Sequence, residues 1–187
     1  MPELPEVETV ARQLAPLLSG QRIEQVKVFD AKLDGAELGT LAGHQIGTVS
    51  RIGKQVAVTL SNNGIERTLL IHLRMSGRLL WNSSDRKLAV TLPDQLVHQP
   101  TIAEKHIRLT VVCGGGSLDF VDPRRFGTCA LYDIGSTMPR IGLDPLSSAF
   151  SVDALATLLQ DVRQPLKPWL LRQDRICLLY TSNTVAH

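Results

Sequence analysis

The chain has 187 residues, 43% of them hydrophobic and 20% charged; these are the proportions of a soluble globular protein, with room for one good domain or one and a half. Its formal net charge of +2 is too small to argue for a nucleic-acid partner by itself. No apolar run is long enough to span a membrane and the start lacks a signal-peptide pattern, so the expected setting is the cytoplasm. Cys113, Cys129 and Cys177 lie far apart and form no Cys-x-x-Cys pair. They read as buried thiols, not as a zinc site or a disulfide framework.

The chain begins Met1-Pro2-Glu3-Leu4-Pro5-Glu6-Val7. A proline in second place allows Met1 to be trimmed, which leaves a secondary amine. An α-amino group has an unperturbed pKa of about 8, so much of it is neutral near neutral pH. Such an amine can attack the anomeric carbon of a sugar and form an iminium ion. Glu3 and Glu6 supply carboxylates within four residues of it, as sugar-transfer chemistry requires. The same residues are also ordinary helix-start signals. Residues 3–18 are expected to be helical, because Leu4, Val7, Val10, Ala11, Leu14, Leu17 and Leu18 recur every three or four positions. Pro5 fits the first turn and Gly20 ends the pattern. Pro2 then sits at the positive end of a helix, whose field disfavours protonation, while Glu3 and Glu6 oppose that effect.

From 21 to 133 the pattern is β. Segments 22–30, 49–60, 65–73, 106–112, 117–121 and 128–132 carry alternating or continuous apolar residues. Asn62-Asn63-Gly64 and Gly114-Gly115-Gly116 read as hairpin turns. Short strands with regular turns suggest a two-sheet sandwich or barrel. Residues 83–105 have no clear period and read as a long loop or a poorly marked strand. A linker is expected at 134–147, then helices at 152–162 and 165–173. Leu155, Leu158, Leu159, Trp169 and Leu170 would give these helices an apolar face that lacks covering partners, which favours association.

Four constellations carry chemistry. In Arg51-Ile52-Gly53-Lys54 the lysine is either a solvated strand-edge residue or a cation that favours the neutral Pro2 amine. In His72-Leu73-Arg74-Met75-Ser76-Gly77-Arg78, three potential cations surround one Met in a turn. That Met either caps the core edge or acts as a wedge filling the hole left by a base rotated out of a duplex. Asp122-Pro123-Arg124-Arg125-Phe126-Gly127 is a rigid basic turn, with Pro and Gly holding the side chains outward. Arginine offers paired donors that match a base edge or a phosphate. Pro165-Leu166-Lys167-Pro168-Trp169-Leu170-Leu171 is an amphipathic helix.

These four motifs and the opening string, in this order, resemble the formamidopyrimidine-DNA glycosylases, bacterial repair enzymes that excise oxidised purines. Leu4 and Val7 favour that branch over the endonuclease VIII group, which usually carries Gly at the position of Leu4. The resemblance covers residues 1–176 and implies an α+β fold. Residues 1–133 would form a helix plus an antiparallel β-sandwich, the catalytic domain. Residues 148–176 would begin a helix-two-turns-helix DNA-binding domain. Residues 177–187 open like a translated sequencing-library adapter and are expected to be a non-native tail.

The implied activity is that of a bifunctional DNA glycosylase/AP lyase in base-excision repair, removing 8-oxoguanine and formamidopyrimidines through a Schiff base, carried here by a fragment that is expected to be impaired in it. The resemblance assigns Pro2 as nucleophile, Glu3 as acid/base, Glu6 as orienting group and Lys54 as a phosphate contact that assists the lyase steps. His72, Arg74 and Lys167 would touch DNA, and Met75 and Phe126 would wedge it. Arg124 would meet the estranged base and Arg125 a phosphate. Two departures stand out. The family's His-Leu-Gly-Met turn has Arg74 for Gly, and the phosphate-binding Gly-x-Gly-Asn-Ile-Tyr is absent. No cofactor or metal is expected in this chain, because the family's four-cysteine zinc finger lies in a C-terminal part not present here. The expected partner is damaged double-stranded DNA, bound by a monomer without any membrane. The alternatives are a non-catalytic DNA-binding fragment and an endonuclease VIII-type enzyme for oxidised pyrimidines.

Overall fold

The computed structural model describes residues 4–33, 35–83, 87–88, 104–136, 142–145, 147–172 and 174–177. The chain divides into two compact units, Met1–Ser136 and Thr137–His187.

The first unit opens with helix α1, Leu4–Leu18. Val7, Val10, Ala11, Leu14 and Leu18 are each at most 3% exposed, so the expected stripe is the face turned to the core. The helix is followed by β1 (Ile23–Val28), the short helix α2 (Gly35–Gly39), β2 (Gln45–Ile52), β3 (Gln55–Asn62), β4 (Ile65–His72), β5 (Arg78–Ser83) and β6 (Lys87–Leu88). A 3-10 turn at Glu104–His106 leads into β7 (Ile107–Cys113), β8 (Gly116–Val121) and β9 (Thr128–Asp133). The strands form two antiparallel sheets, β2-β3-β4-β9 and β1-β7-β8-β5-β6. One core joins the sheets and α1. It includes Val56, Val58, Leu69 and Ile71 from the first sheet, and Leu79, Trp81, Leu109, Val111 and Phe120 from the second. This is the expected helix plus antiparallel sandwich.

Two local expectations change. The segment 49–60 is not one strand: β2 ends at Ile52 and β3 starts at Gln55, paired back on it. Gly53 turns the chain with φ +59, a conformation glycine adopts without a Cβ penalty. Arg78–Ser83, unmarked in the sequence reading, is a central strand of the second sheet between β8 and β6. Its run Leu79-Leu80-Trp81 is buried throughout, so period-2 alternation is hidden. Most of 83–105 lies outside the described residues.

The pairing register brings distant turns to one end of the sandwich. His72 pairs with Gln55 and with Thr128. Arg78 pairs with Val121, as does Ile107. The 73–77 connection therefore runs from β4 in the first sheet to β5 in the second. The 122–127 connection returns from β8 to β9 beside it. The Gly53-Lys54 turn and the end of β1, where the Phe29 amide donates to the Arg108 carbonyl at 2.8 Å, lie at the same end.

In the second unit, α3 (Val152–Leu159) starts at Ser151, whose hydroxyl accepts from the Ala154 amide, a standard N-cap. Helix α4 is Leu166–Leu170. Both are shorter than the periodicity suggested. Trp169 is 3% exposed and Ile176 0%, so the expected bare face does not include the tryptophan. Val152 and Leu166 are the strongly exposed apolar side chains of these helices, at 84% and 53%. Part of the expected linker, 137–141, and the tail from 178 lie outside the described residues. Among the described residues no helix is long and apolar enough to cross a membrane.

Leu14 tests the place of α1 in this core, since its side chain is 0% exposed. Leu14→Ala should cost about 2–5 kcal/mol, read as a lower urea midpoint at unchanged slope. A loss well under about 1 kcal/mol would show that α1 is only laid over the sandwich.

Candidate nucleic-acid interface

The site is built from a buried arginine outward. Arg108 stands in the largely apolar strand β7 and is 2% exposed. Its Nε donates to Asp30 Oδ2 at 2.6 Å, and its Nη1 donates to the Gly127 carbonyl at 2.7 Å and to Asp122 Oδ2 at 3.4 Å. The guanidinium also lies over the Phe120 ring, 5.7 Å from its centroid. A charge this deep must be paired, and here two buried carboxylates pair it.

Each carboxylate then organises a turn. Asp122 accepts from the Ser76 hydroxyl at 2.5 Å, the Arg124 amide at 3.2 Å and the Gly127 amide at 2.7 Å. Burial alone would raise its carboxyl pKa; the hydrogen bonds from Ser76 and from the amides of Gly127, Arg124 and Phe126 outweigh that and set it below the ordinary value. Asp30 is gripped by Arg125, whose Nε donates to Oδ2 at 2.8 Å and whose Nη2 donates to Oδ1 at 2.5 Å. That fork, with the Lys32 amide and Arg108, holds the Asp30 carboxyl far below the usual carboxylate range against the cost of burial. Gly127 is required by close approach: a Cβ there would run into the Phe120 ring and the His72 carbonyl.

The outcome is a cluster at the surface. Arg124 stacks on Phe126 at 4.9 Å, and its Nη1 points at the Met75 sulfur at 3.6 Å. Met75 is 54% exposed and Phe126 52%. The three residues come from two turns almost fifty positions apart, and the Ser76–Asp122 bond ties those turns together.

Beside the cluster, the Arg74 amide donates to His72 Nδ1 at 3.1 Å. The proton of His72 therefore sits on Nε2. Burial, then the charges of Arg74 and Lys54, lower its pKa to about 4. His72 is thus not the cation that the sequence pattern suggested; it is a neutral donor at neutral pH. Arg74 adopts φ +54, the left-handed region that favours glycine. The turn keeps a glycine-like shape, and the arginine bears the strain. Lys54 occupies the β2–β3 turn and is half-buried. Glu8, on α1, accepts from Arg51 at 3.0 Å, and Arg51 in turn donates to the Gly53 carbonyl at 2.9 Å. This chain of bonds fixes the start of α1 to the turn that carries Lys54. Glu6 is half-buried in the first turn of α1. Pro2 and Glu3 lie outside the described residues. Lys167 is exposed on α4 in the second unit.

Sequence reasoning missed Asp30, Arg108 and Ser76. Arg108 did carry a signal, a charge between Ile107 and Leu109 in a largely apolar strand, although alternation puts it on the face opposite Leu109, Val111 and Cys113. Asp30 carried none. Among the described residues no group of three or more His, Cys, Asp or Glu could hold a metal ion. Cys113 and Cys129 lie in different sheets, and burial pushes their thiols up to about 11 and about 12, which does not fit a four-cysteine zinc site.

A helix-capped antiparallel sandwich with an apolar-tipped basic cluster at one end defines the class. A family model for the formamidopyrimidine-DNA glycosylase N-terminal domain matches residues 1–129. The formamidopyrimidine-DNA glycosylase of Moorella thermoacetica is 38% identical over 183 residues, covering 92% of this chain and 61% of that protein. The one from Chloroflexus aurantiacus is 37% identical over 190 residues, covering 94% and 60%. The Lactococcus lactis enzyme, solved in complex with abasic-site DNA, superposes with a TM-score of 0.74 at 29% identity, covering 95% of this chain and 62% of that one. The chain belongs to the formamidopyrimidine-DNA glycosylase family, and it spans about 60% of the length of the curated relatives it matches.

Both network carboxylates have lowered pKa values in the fold. Their contribution to stability is fully present above the unfolded aspartate value of about 3.9 and drains as pH falls through their folded values. The unfolding midpoint should therefore hold down to about pH 5 and fall steeply from about pH 4 downward, and Asp30→Asn should blunt that fall. A midpoint unchanged between about pH 5 and about pH 3 would contradict this account of the network.

Proposed function

We propose that this chain is the catalytic and lesion-opening part of a bifunctional DNA glycosylase/AP lyase that acts on oxidised purines, such as 8-oxoguanine and formamidopyrimidines, in double-stranded DNA. The observation that carries the reading is the joining of Met75, Arg124 and Phe126 into one exposed cluster. Extruding a base costs on the order of a few kcal/mol, and an apolar side chain that fills the vacated stack offsets part of that cost. Two half-exposed apolar tips flanking an arginine suit this task. Arg124 presents donors to the estranged base, while Met75 and Phe126 occupy the gap. Neutral His72, donating from Nε2, and the Lys54 and Arg74 cations bind phosphates around the lesion. In the second unit, taken by itself, exposed Lys167 is a cation suited to phosphate.

The chemistry falls to residues at the start of the chain. The Pro2 amine forms a bond to C1′ of the deoxyribose as the glycosidic bond breaks, and the base leaves with that electron pair and a proton. Glu3 exchanges protons at the sugar as the ring opens to the iminium, and Glu6 orients the group. Elimination from the iminium then releases the strand on both sides of the abasic sugar. The bond from Glu8 to Arg51 supports this arrangement, since it ties α1, which follows Pro2 and Glu3 in sequence, to the turn bearing Lys54.

Two experiments test the reading. Borohydride should trap a covalent adduct between the chain and an abasic-site duplex, and trapping should vanish in a protein that retains Met1, whose Pro2 nitrogen is a tertiary amide. Undiminished trapping with Met1 in place would remove Pro2 as the nucleophile, and no trapping at all would leave a DNA-binding fragment. Separately, Met75→Ala and Phe126→Ala should slow excision of 8-oxoguanine from duplex about tenfold or more, a loss of roughly 1.4 kcal/mol. Cleavage at a ready-made abasic site should suffer far less. Equal losses on the two substrates would make these side chains structural only.

A further inference from the structure

The Asp122–Gly127 turn carries two arginines in sequence, and the structure treats them differently. Arg124 faces the apolar cluster. Arg125 forks onto Asp30 with both Nε and Nη2. Its backbone adopts φ +58, the left-handed region that favours glycine and that persists only where the surroundings over-determine it. Those surroundings are visible. Asp30 is 5% exposed and is shared with Arg108, itself 2% exposed. Arg108 also takes the Gly127 carbonyl at the far end of the same turn. Asp122 holds the inner side of the turn through the Arg124 and Gly127 amides. The turn is therefore clamped by two carboxylates, and among the described residues Arg125 is the one member of the turn whose side chain bonds Asp30.

We propose that Asp30 and Arg125 are positioning residues: their two-pronged pair locks the 122–127 turn in the shape that presents Arg124 and Phe126, and Arg125 serves as a strut instead of a phosphate contact. The inference rests on the DNA-opening reading and deepens it. The two roles make opposite demands on Arg125. The Arg125 side chain is 53% exposed, and a phosphate contact through Nη1 would leave the fork in place. Such a contact would be served nearly as well by lysine, which binds phosphate as a point charge. A strut needs the planar fork and gains nothing from charge alone.

The test uses the 187-residue chain and fluorescence anisotropy, with abasic-site and intact duplexes of the same sequence titrated over a range of salt. The strut predicts that Arg125→Lys and Arg125→Met fail alike, each reducing the preference for the abasic duplex at least about fivefold while the salt slope stays as in the unaltered chain. Asp30→Asn should show the same loss, and the Asp30→Asn/Arg125→Met pair should be no worse than either single change. A phosphate contact predicts the reverse. Arg125→Lys would restore binding, and Arg125→Met would keep the preference and flatten the salt slope by about 0.9; that pattern overturns the proposal. Should Asp30→Asn unfold, the Arg125 variants decide alone, because they leave the Asp30–Arg108 pair in place. If the unaltered chain shows no preference for the abasic duplex, the DNA-opening reading fails and takes this inference with it. That outcome is distinct from a preference that survives Arg125→Met.

Discussion

The pairing of Arg108 with Asp30 and Asp122 is the constraint on which the exposed features at this end of the sandwich depend. A buried guanidinium without partners is untenable. Removing one partner of such a pair costs about 3–5 kcal/mol, because the other charge is left stranded. Arg108 thus fixes both carboxylates, each carboxylate fixes a turn, and the Met75–Arg124–Phe126 cluster is what those turns carry. One of its nitrogens, Nη2, is buried without a hydrogen-bond partner among the described residues. The guanidinium's position over Phe120 offsets part of that cost.

The sandwich makes such a node possible by its connections. Two crossings between the sheets, 73–77 and 122–127, lie side by side because His72 pairs with Thr128 and Arg78 with Val121. A slip of one residue in either ladder would turn every side chain of that strand to its other face and separate the Met75 turn from the Arg124 turn. The glycines Gly77 and Gly127 belong to the same constraint, since a Cβ at either would strike the neighbouring backbone or ring. Precision here comes from packing against rigid strands.

Arg74 shows how the fold absorbs a departure from its family's pattern. The resembled turn has glycine there, and the backbone keeps the corresponding left-handed conformation at φ +54. The Arg74 amide then fixes the tautomer of His72, and the arginine charge, with burial and Lys54, keeps that imidazole neutral. A position that favours glycine for its backbone has become one more cation near the proposed DNA surface.

Much was legible without coordinates, because it is local. The helix stripe of Val7, Val10, Leu14 and Leu18, the Asn63-Gly64 turn, the strands from 65 and 117 onward and the motif residues themselves depend on spacing within a few positions. In sequence the β2–β3 hairpin reads as one strand, because the two-residue Gly53-Lys54 turn barely interrupts the spacing of Val49, Ile52, Val56 and Val58. Arg78–Ser83 was missed because a strand buried at three successive positions does not alternate. Which residues support the motifs was not legible at all. Asp30 meets Arg125 across 95 positions, and Ser76 meets Asp122 across 46. Sequence determined which side chains carry paired donors, charges and apolar tips, since that chemistry resides in single residues. Only the tertiary structure decided which of them stand exposed and which are paired to a buried carboxylate, because that depends on strand register and on where a buried charge finds its partners.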